Sequence, residues 1–288
     1  MNMIWNVIYD TLLDGIKLLP FLFITYLAME YIEHKAGSKA ERMIRKSGRF
    51  GPVIGGVLGI VPQCGFSTAA ANFYAGRIIT LGTLFAVFLS TSDEMLPILI
   101  SEQVSPGIIG KILGTKVLIS MMAGFLIDFV ISHRNILHDE PLKIEHICDH
   151  EHCHCGEGKI WKSALRHTLQ IFVFILLVSF FLNLVIGLAG KEALSGFLIE
   201  MPVLGPALAG LVGLIPNCAA SVAITQLYLE GVLNTGSMMS GLLTSSGVGL
   251  LVLFRVNESK QENLKITAIL YGIGIVSGIM IEAAGLTF

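Results

Sequence analysis

The chain has 288 residues, of which 53% are hydrophobic and only 14% charged, and its mean hydropathy is +0.75. That composition excludes an ordinary soluble domain and indicates an integral membrane protein. The net charge of -2 says nothing about partners, and no nucleic-acid ligand is expected.

Apolar runs of about 20 residues, enough for a helix to span a hydrocarbon core of about 30 Å, occur near 11–32, 78–100, 108–131, 168–190, 233–254 and 266–288. The first follows MNMIWNVIYD, which has no basic segment, so it reads as a retained helix rather than a cleaved signal. Lys35, Lys39, Arg42, Arg45, Lys46 and Arg49 crowd the stretch after it. Short loops rich in Lys and Arg stay in the cytoplasm. Alternating sides from there puts Arg77, Arg134, Lys143, Lys159, Lys162, Arg166, Arg255, Lys260 and Lys265 inside as well, with little beyond Lys111 and Lys191 opposite. Both termini are then expected outside, in a multi-pass protein of the cell's inner (cytoplasmic) membrane.

The next stretch, 51–76, is apolar but interrupted by VPQCGFSTAAANFYAG. A proline within a helix removes a donor and frees carbonyls that hydrocarbon cannot satisfy, so such a break needs protein or water around it. Pro62 is expected to end a short Gly-rich half-helix, and Gln63, Cys64, Ser67, Thr68 and Asn72 to open a second one whose N-terminal amides carry partial positive charge. The following run, 78–100, carries LSTSDEMLP at 89–97. An acid inside the membrane marks an ion site, a pathway or a proton relay. Within this apolar helix Ser90 lies three and four residues before Asp93 and Glu94, hence on the same helical surface and able to share a ligand with them, and Thr91 and Ser92 lie beside it. Asp14, Lys17, Lys116, Asp128 and Glu282 are weaker candidates, and Lys17 and Lys116 read as snorkelling or neutralising cations.

Residues 133–162 form a long polar linker, in which HICDHEHCHCGEG gathers His146, Cys148, His150, His152, Cys153, His154 and Cys155. That density reads as a metal-binding tract. It lacks the paired, separated spacing of a folded zinc module, which favours a sensor or delivery loop. Beyond it, 205–230 is interrupted by IPNCAASVAITQLYLEG: Pro216 stands where Pro62 did, followed by Asn217, Cys218, Ser221, Thr225 and Gln226. The run 233–254 carries LTSSGVGLL, which keeps the hydroxyls of Ser245 and Ser246 and loses both acids.

These echoes form an ungapped repeat: 51–128 aligns with 205–282 at an offset of 154. Gly51, Pro52, Gly56, Gly59, Pro62, Cys64 and Ser67 fall on Gly205, Pro206, Gly210, Gly213, Pro216, Cys218 and Ser221, and Asp128 falls on Glu282. The chain divides into a first repeat (1–132), the linker (133–162) and a second repeat (163–288). Each repeat crosses the membrane three times if its broken segment is re-entrant and five times if that segment crosses twice. An odd-crossing unit followed by its copy lies upside down, so the expected fold is an all-α polytopic membrane protein built from two inverted repeats with Pro-broken half-helices. Facing half-helices would then make a midplane site, with Cys64 and Cys218 as its symmetric thiols. Paired thiolates suit thiophilic metals and trivalent metalloids, whereas carboxylates and hydroxyls suit manganese-like ions.

Pro62-x-Cys64-x-x-Ser67, Ser90 to Glu94 and Pro216-x-Cys218-x-x-Ser221, in a chain of this length, resemble the ten-helix heavy-metal exporter family, also labelled arsenic efflux or manganese transporter. The resemblance runs through both halves and extends more distantly to organoarsenical permeases. It implies ten membrane segments and metal or metalloid efflux. The expectation is therefore a transporter, not an enzyme: a secondary exporter of a manganese-like or zinc-like divalent ion, driven by H+ or Na+, because no G-x-x-x-x-G-K-[ST] loop is present. No cofactor is expected beyond the cargo and a metal on the linker, and homo-oligomerisation stays open. The alternatives are an arsenic, metalloid or organic-anion permease, and a membrane metal sensor without transport.

Overall fold

The computed structural model describes residues 50–61, 64–92, 95–133 and 204–287, with scattered helical positions between 12 and 27 and between 161 and 181. Among the described residues the protein is all-helical. In the first half, α1 (Gly51–Leu58), α2 (Cys64–Ala75), α3 (Leu81–Ser90), α4 (Met95–Ser101) and α5 (Pro106–His133) follow one another; in the second, α6 (Leu204–Gly213), α7 (Cys218–Leu229), α8 (Thr235–Thr244), α9 (Gly249–Val256) and α10 (Lys260–Ala283). The starts of α2 to α5 recur at α7 to α10 at an interval of 154 residues.

Local chemistry sets these starts. Thr80 caps α3 by accepting the Thr83 amide at 3.1 Å, and its counterpart Asn234 caps α8 by accepting the Ser237 amide at 2.8 Å. Ser259 caps α10 with Glu262 at the third helical position, the pattern of a capping box. This cap starts α10 at Lys260, upstream of the apolar run at 266.

Among the described residues, four segments are long and apolar enough to cross a membrane: Leu81–Ser101, Pro106–Ser132, Thr235–Val256 and Lys260–Ala283. They coincide with four of the expected runs; most of 11–32 and 168–190 lies outside the described residues. The segments through α3–α4 and α8–α9 are mostly buried, whereas α5 and α10 present Leu118, Met122, Leu126, Leu264, Val276 and Met280 outward. Apolar side chains exposed in such numbers are what a lipid-facing helix carries.

One expectation is corrected: 78–100 is not a single helix. It stops at Ser90, Thr91 turns extended (φ -49°, ψ 127°), and α4 begins at Met95. The second half breaks at the matching place, with Ser245 extended, Gly247 at φ 55° and α9 beginning at Gly249. The hydroxyls of Ser90 and Thr91 bond back to Ala86 O (2.7 Å) and Val87 O (2.8 Å), while Ser92 donates to Ser90 O at 2.9 Å, taking over carbonyls at the end of the ladder.

The breaks let each half reach into the other. One core combines Ala70, Ala71 and Tyr74 of α2 and Leu84, Phe85 and Phe88 of α3 with Leu250, Val252 and Leu253 of α9. The other combines Met95 and Leu99 of α4 with Ile224 and Leu227 of α7 and Met238, Met239 and Leu242 of α8. Thus α9 packs on α2 and α4 on α7, reciprocally, while α3 meets α8.

Candidate functional site at the helix breaks

Among the described residues each half contains two interruptions, at 59–61 and 91–92 in the first and at 214–217 and 245–248 in the second. Within each half they adjoin. A methyl group added at Gly59 would meet the Ser90 hydroxyl and lie 2.9 Å from Val87 O, and one at Gly213 would meet the Thr244 hydroxyl and the Gly241 backbone. The halves also touch here, because a methyl group at Gly249 would lie 2.7 Å from Ser67 Cβ.

The surrounding layer is polar and closed to solvent: Ser67, Thr68, Asn72, Ser90, Thr91, Ser92, Asn217, Ser221, Thr225, Ser245 and Ser246 are all buried. Buried polar groups are tolerated only where they are bonded. Asn72 donates to Thr68 O at 2.9 Å and Thr225 to Ser221 O at 2.7 Å. The Asn217 amide donates to Ile215 O at 2.7 Å, closing the turn that carries half-buried Pro216 into α7. A hydroxyl that donates to a backbone carbonyl keeps its own oxygen lone pairs for another partner.

Cys64 and Cys218 are the first residues of α2 and α7, while their side chains, together with Pro62, Gln63, Asp93 and Glu94, lie outside the described residues. So does the His146–Cys155 tract. Gln226 is half-buried on α7. The shared helical surface expected for Ser90, Asp93 and Glu94 is replaced by the break after Ser90. Among the described residues no group of three or more His, Cys, Asp or Glu gathers.

Three features escaped the sequence reading. Lys116 does not snorkel: its side chain is fully buried (0% exposed), with the ammonium donating to Thr91 O and to Leu242 O, the latter at 3.1 Å. Asp128 accepts the Gly82 amide at 2.8 Å and the Thr80 hydroxyl at 2.7 Å, and Glu282 accepts the Gly236 amide at 3.1 Å. These acids cap the N-termini of α3 and α8, where partial positive charge favours them. Their alignment at the 154-residue offset was the visible signal, but not its meaning.

The third feature is an ion cluster between the halves. Arg77, in the α2–α3 turn, pairs with both Glu262 oxygens at 3.0 and 3.1 Å; Tyr74 donates to the same carboxylate, and Asn257 reaches it at 3.3 Å. Burial disfavours the charge of Arg77, but Glu262 more than offsets this and holds the guanidinium above its ordinary range. Arg77 adopts φ 58°, a left-handed conformation; its counterpart Gly231 has φ 75°. Glycine takes that turn freely, whereas arginine keeps it at a cost of about 1 kcal/mol, which the bidentate pair can offset.

No curated protein and no solved structure matches the chain. A family model described as "Putative, 10TM heavy-metal exporter" matches residues 4–191, which takes in the first half, the linker and the start of the second half but not the second broken segment. The match covers more than half of the chain, and with the apolar spans and the buried polar layer already described, this multi-pass membrane protein belongs to that family.

Proposed function

We propose that the protein is a secondary-active exporter that moves a divalent heavy or transition metal ion out of the cytoplasm, through a site at the four helix breaks between two inverted repeats. The observation that carries this reading is the recurrence of both breaks at matching positions in the two halves, within one buried polar layer. Broken helices at the junction of inverted repeats are a transporter's usual binding site.

Inversion draws support from what lies at each end. The α2–α3 turn of the first half meets the start of α10 through Arg77 and Glu262. At the far end of the span that begins after that turn, Leu99, Val104 and Ile108 cluster with Leu233 from the matching turn of the second half. These contacts support a reading in which corresponding turns lie at opposite ends. Arg77, Arg255 and Lys260 fall at one end, in keeping with a cytoplasmic assignment by the Lys/Arg rule and with both termini outside an inner membrane.

Flux of manganese, zinc and arsenite into proteoliposomes under imposed H+ or Na+ gradients tests the reading. Transport of manganese or zinc supports it; a protein active only on arsenite or organic anions sinks it. The second reading, a metalloid permease, is favoured by one observation: each cysteine opens a half-helix at an equivalent position.

A further inference from the structure

Lys116 lies within the membrane span of α5, whose nearby Leu118 and Met122 face outward, yet its own side chain is fully buried. A lysine in a membrane helix ordinarily reaches for the headgroups or marks a functional site. This one turns inward, and its ammonium contacts include the carbonyl oxygens of Thr91 and Leu242. Thr91 is the C-cap of α3, and Leu242 belongs to the last turn of α8. The last carbonyls of a helix lack partners within it and carry the negative end of its dipole. Two such ends, one from each half, therefore converge on a single positive charge. In broken-helix transporters that arrangement holds a cation. The counterpart of Lys116 at the 154-residue offset is Leu270, so the second repeat supplies no matching lysine there.

We propose that Lys116 is a tethered cation: its ammonium occupies the transport site when cargo is absent, and an arriving metal ion displaces it from the carbonyls of Thr91 and Leu242. This rests on the export reading and deepens it by naming two ligand oxygens and the group that competes for them. An ammonium and a metal cation seek the same acceptors and cannot both fill one position. Exchanging one for the other keeps the buried carbonyls satisfied in both states, where an empty site would leave them unpaired. Carbonyl oxygens are hard ligands, so the class of ion served is a hard, manganese-like divalent cation.

The test is manganese(II) binding to the purified full-length protein by equilibrium dialysis, comparing wild type with Lys116→Met and Lys116→Arg. With the competitor removed, Lys116→Met binds manganese about tenfold tighter than wild type or more, whereas Lys116→Arg, which keeps a cation, stays near wild type. A structural lysine would give no tightening. Lys116→Ala supplies a second measurement: n-propylammonium, which restores both volume and charge, competes with manganese in this variant and not in wild type. A folded Lys116→Met or Lys116→Ala protein that binds manganese no tighter than wild type overturns the proposal, as does lack of competition by n-propylammonium. If wild type transports manganese or zinc while those results fail, only the tethered-cation inference falls; if wild type neither binds nor transports a divalent metal, the export reading falls with it.

Discussion

The candidate ligands divide by hardness, and so do the two cargo readings. Asp93 and Glu94 supply charge that a divalent ion needs and a neutral metalloid does not, whereas Cys64 and Cys218 suit a soft ion. For a divalent cargo, Asp93→Asn lowers export at least about tenfold while Cys64→Ser and Cys218→Ser weaken it less, since losing a ligand charge costs more than exchanging a soft ligand for a hydroxyl. For arsenite the order reverses. Resistance assays with manganese, zinc and arsenite check it, and full activity of Asp93→Asn with every divalent ion would exclude the cation reading. Arg77 and Glu262 make a second residue-scale case, because the planar guanidinium engages both carboxylate oxygens. Arg77→Gly relaxes the left-handed turn but leaves a half-buried carboxylate without its partner, for a net loss on the order of 2 kcal/mol. Arg77→Lys restores only part of this, since an ammonium cannot pair with both oxygens at once. Thermal unfolding in detergent distinguishes the two.

Between elements, two close approaches are glycine on glycine. A methyl group at Gly124 would lie 2.6 Å from Gly82 O, and one at Gly278 would lie 2.5 Å from Gly236 O. These pairs let α5 cross α3 and α10 cross α8 backbone to backbone, the packing that small residues permit in membranes. Close approach also brings Asp128 and Glu282 onto the amides of Gly82 and Gly236, so crossing and capping depend on each other. Gly124→Ala is expected to cost about 1–3 kcal/mol by overpacking. Gly114→Ala on the same helix, where nothing lies within 4 Å of the added methyl group, is neutral or slightly stabilising. Melting temperatures of the two variants check the contrast, and equal shifts would show that the crossing tolerates the methyl group.

For the whole molecule, the exchange of α4 and α9 between the halves means that neither half completes its core alone. Under the export reading proposed above, a rearrangement at the breaks would be felt in both cores. The topology proposed above puts 33–50 and the 133–162 linker in the cytoplasm, and it predicts that a cysteine introduced at His150 in a background lacking the native cysteines is not labelled from outside intact cells by a membrane-impermeant maleimide. Labelling without permeabilisation would invert the assignment. Deleting residues 146–155 is expected to leave transport running at saturating metal while blunting its response to low cytoplasmic metal. Loss of all flux would make the tract part of the route.

The sequence by itself determined the membrane character, four of the spans and the register of the 154-residue offset, because hydrophobic length and Gly/Pro spacing are properties of the chain. It also announced the breaks after Leu58 and at 214–217, since a proline removes a backbone donor wherever it falls within a helix. The breaks after Ser90 and at 245–248 were not legible: serine, threonine and single glycines are all tolerated within membrane helices, and tertiary contacts decided that these segments unwind. Asp128, Glu282 and Lys116 follow the same division. Their charges were visible along the chain, but whether a charge snorkels, caps a neighbouring helix or sits between two helix ends depends on which backbone groups packing brings within hydrogen-bonding distance. Ser90 pointed to the acids by its spacing, yet its hydroxyl turned back to Ala86 O once α3 ended. Spacing assigns a common face only while the helix continues, and packing between the two halves decided where it stops.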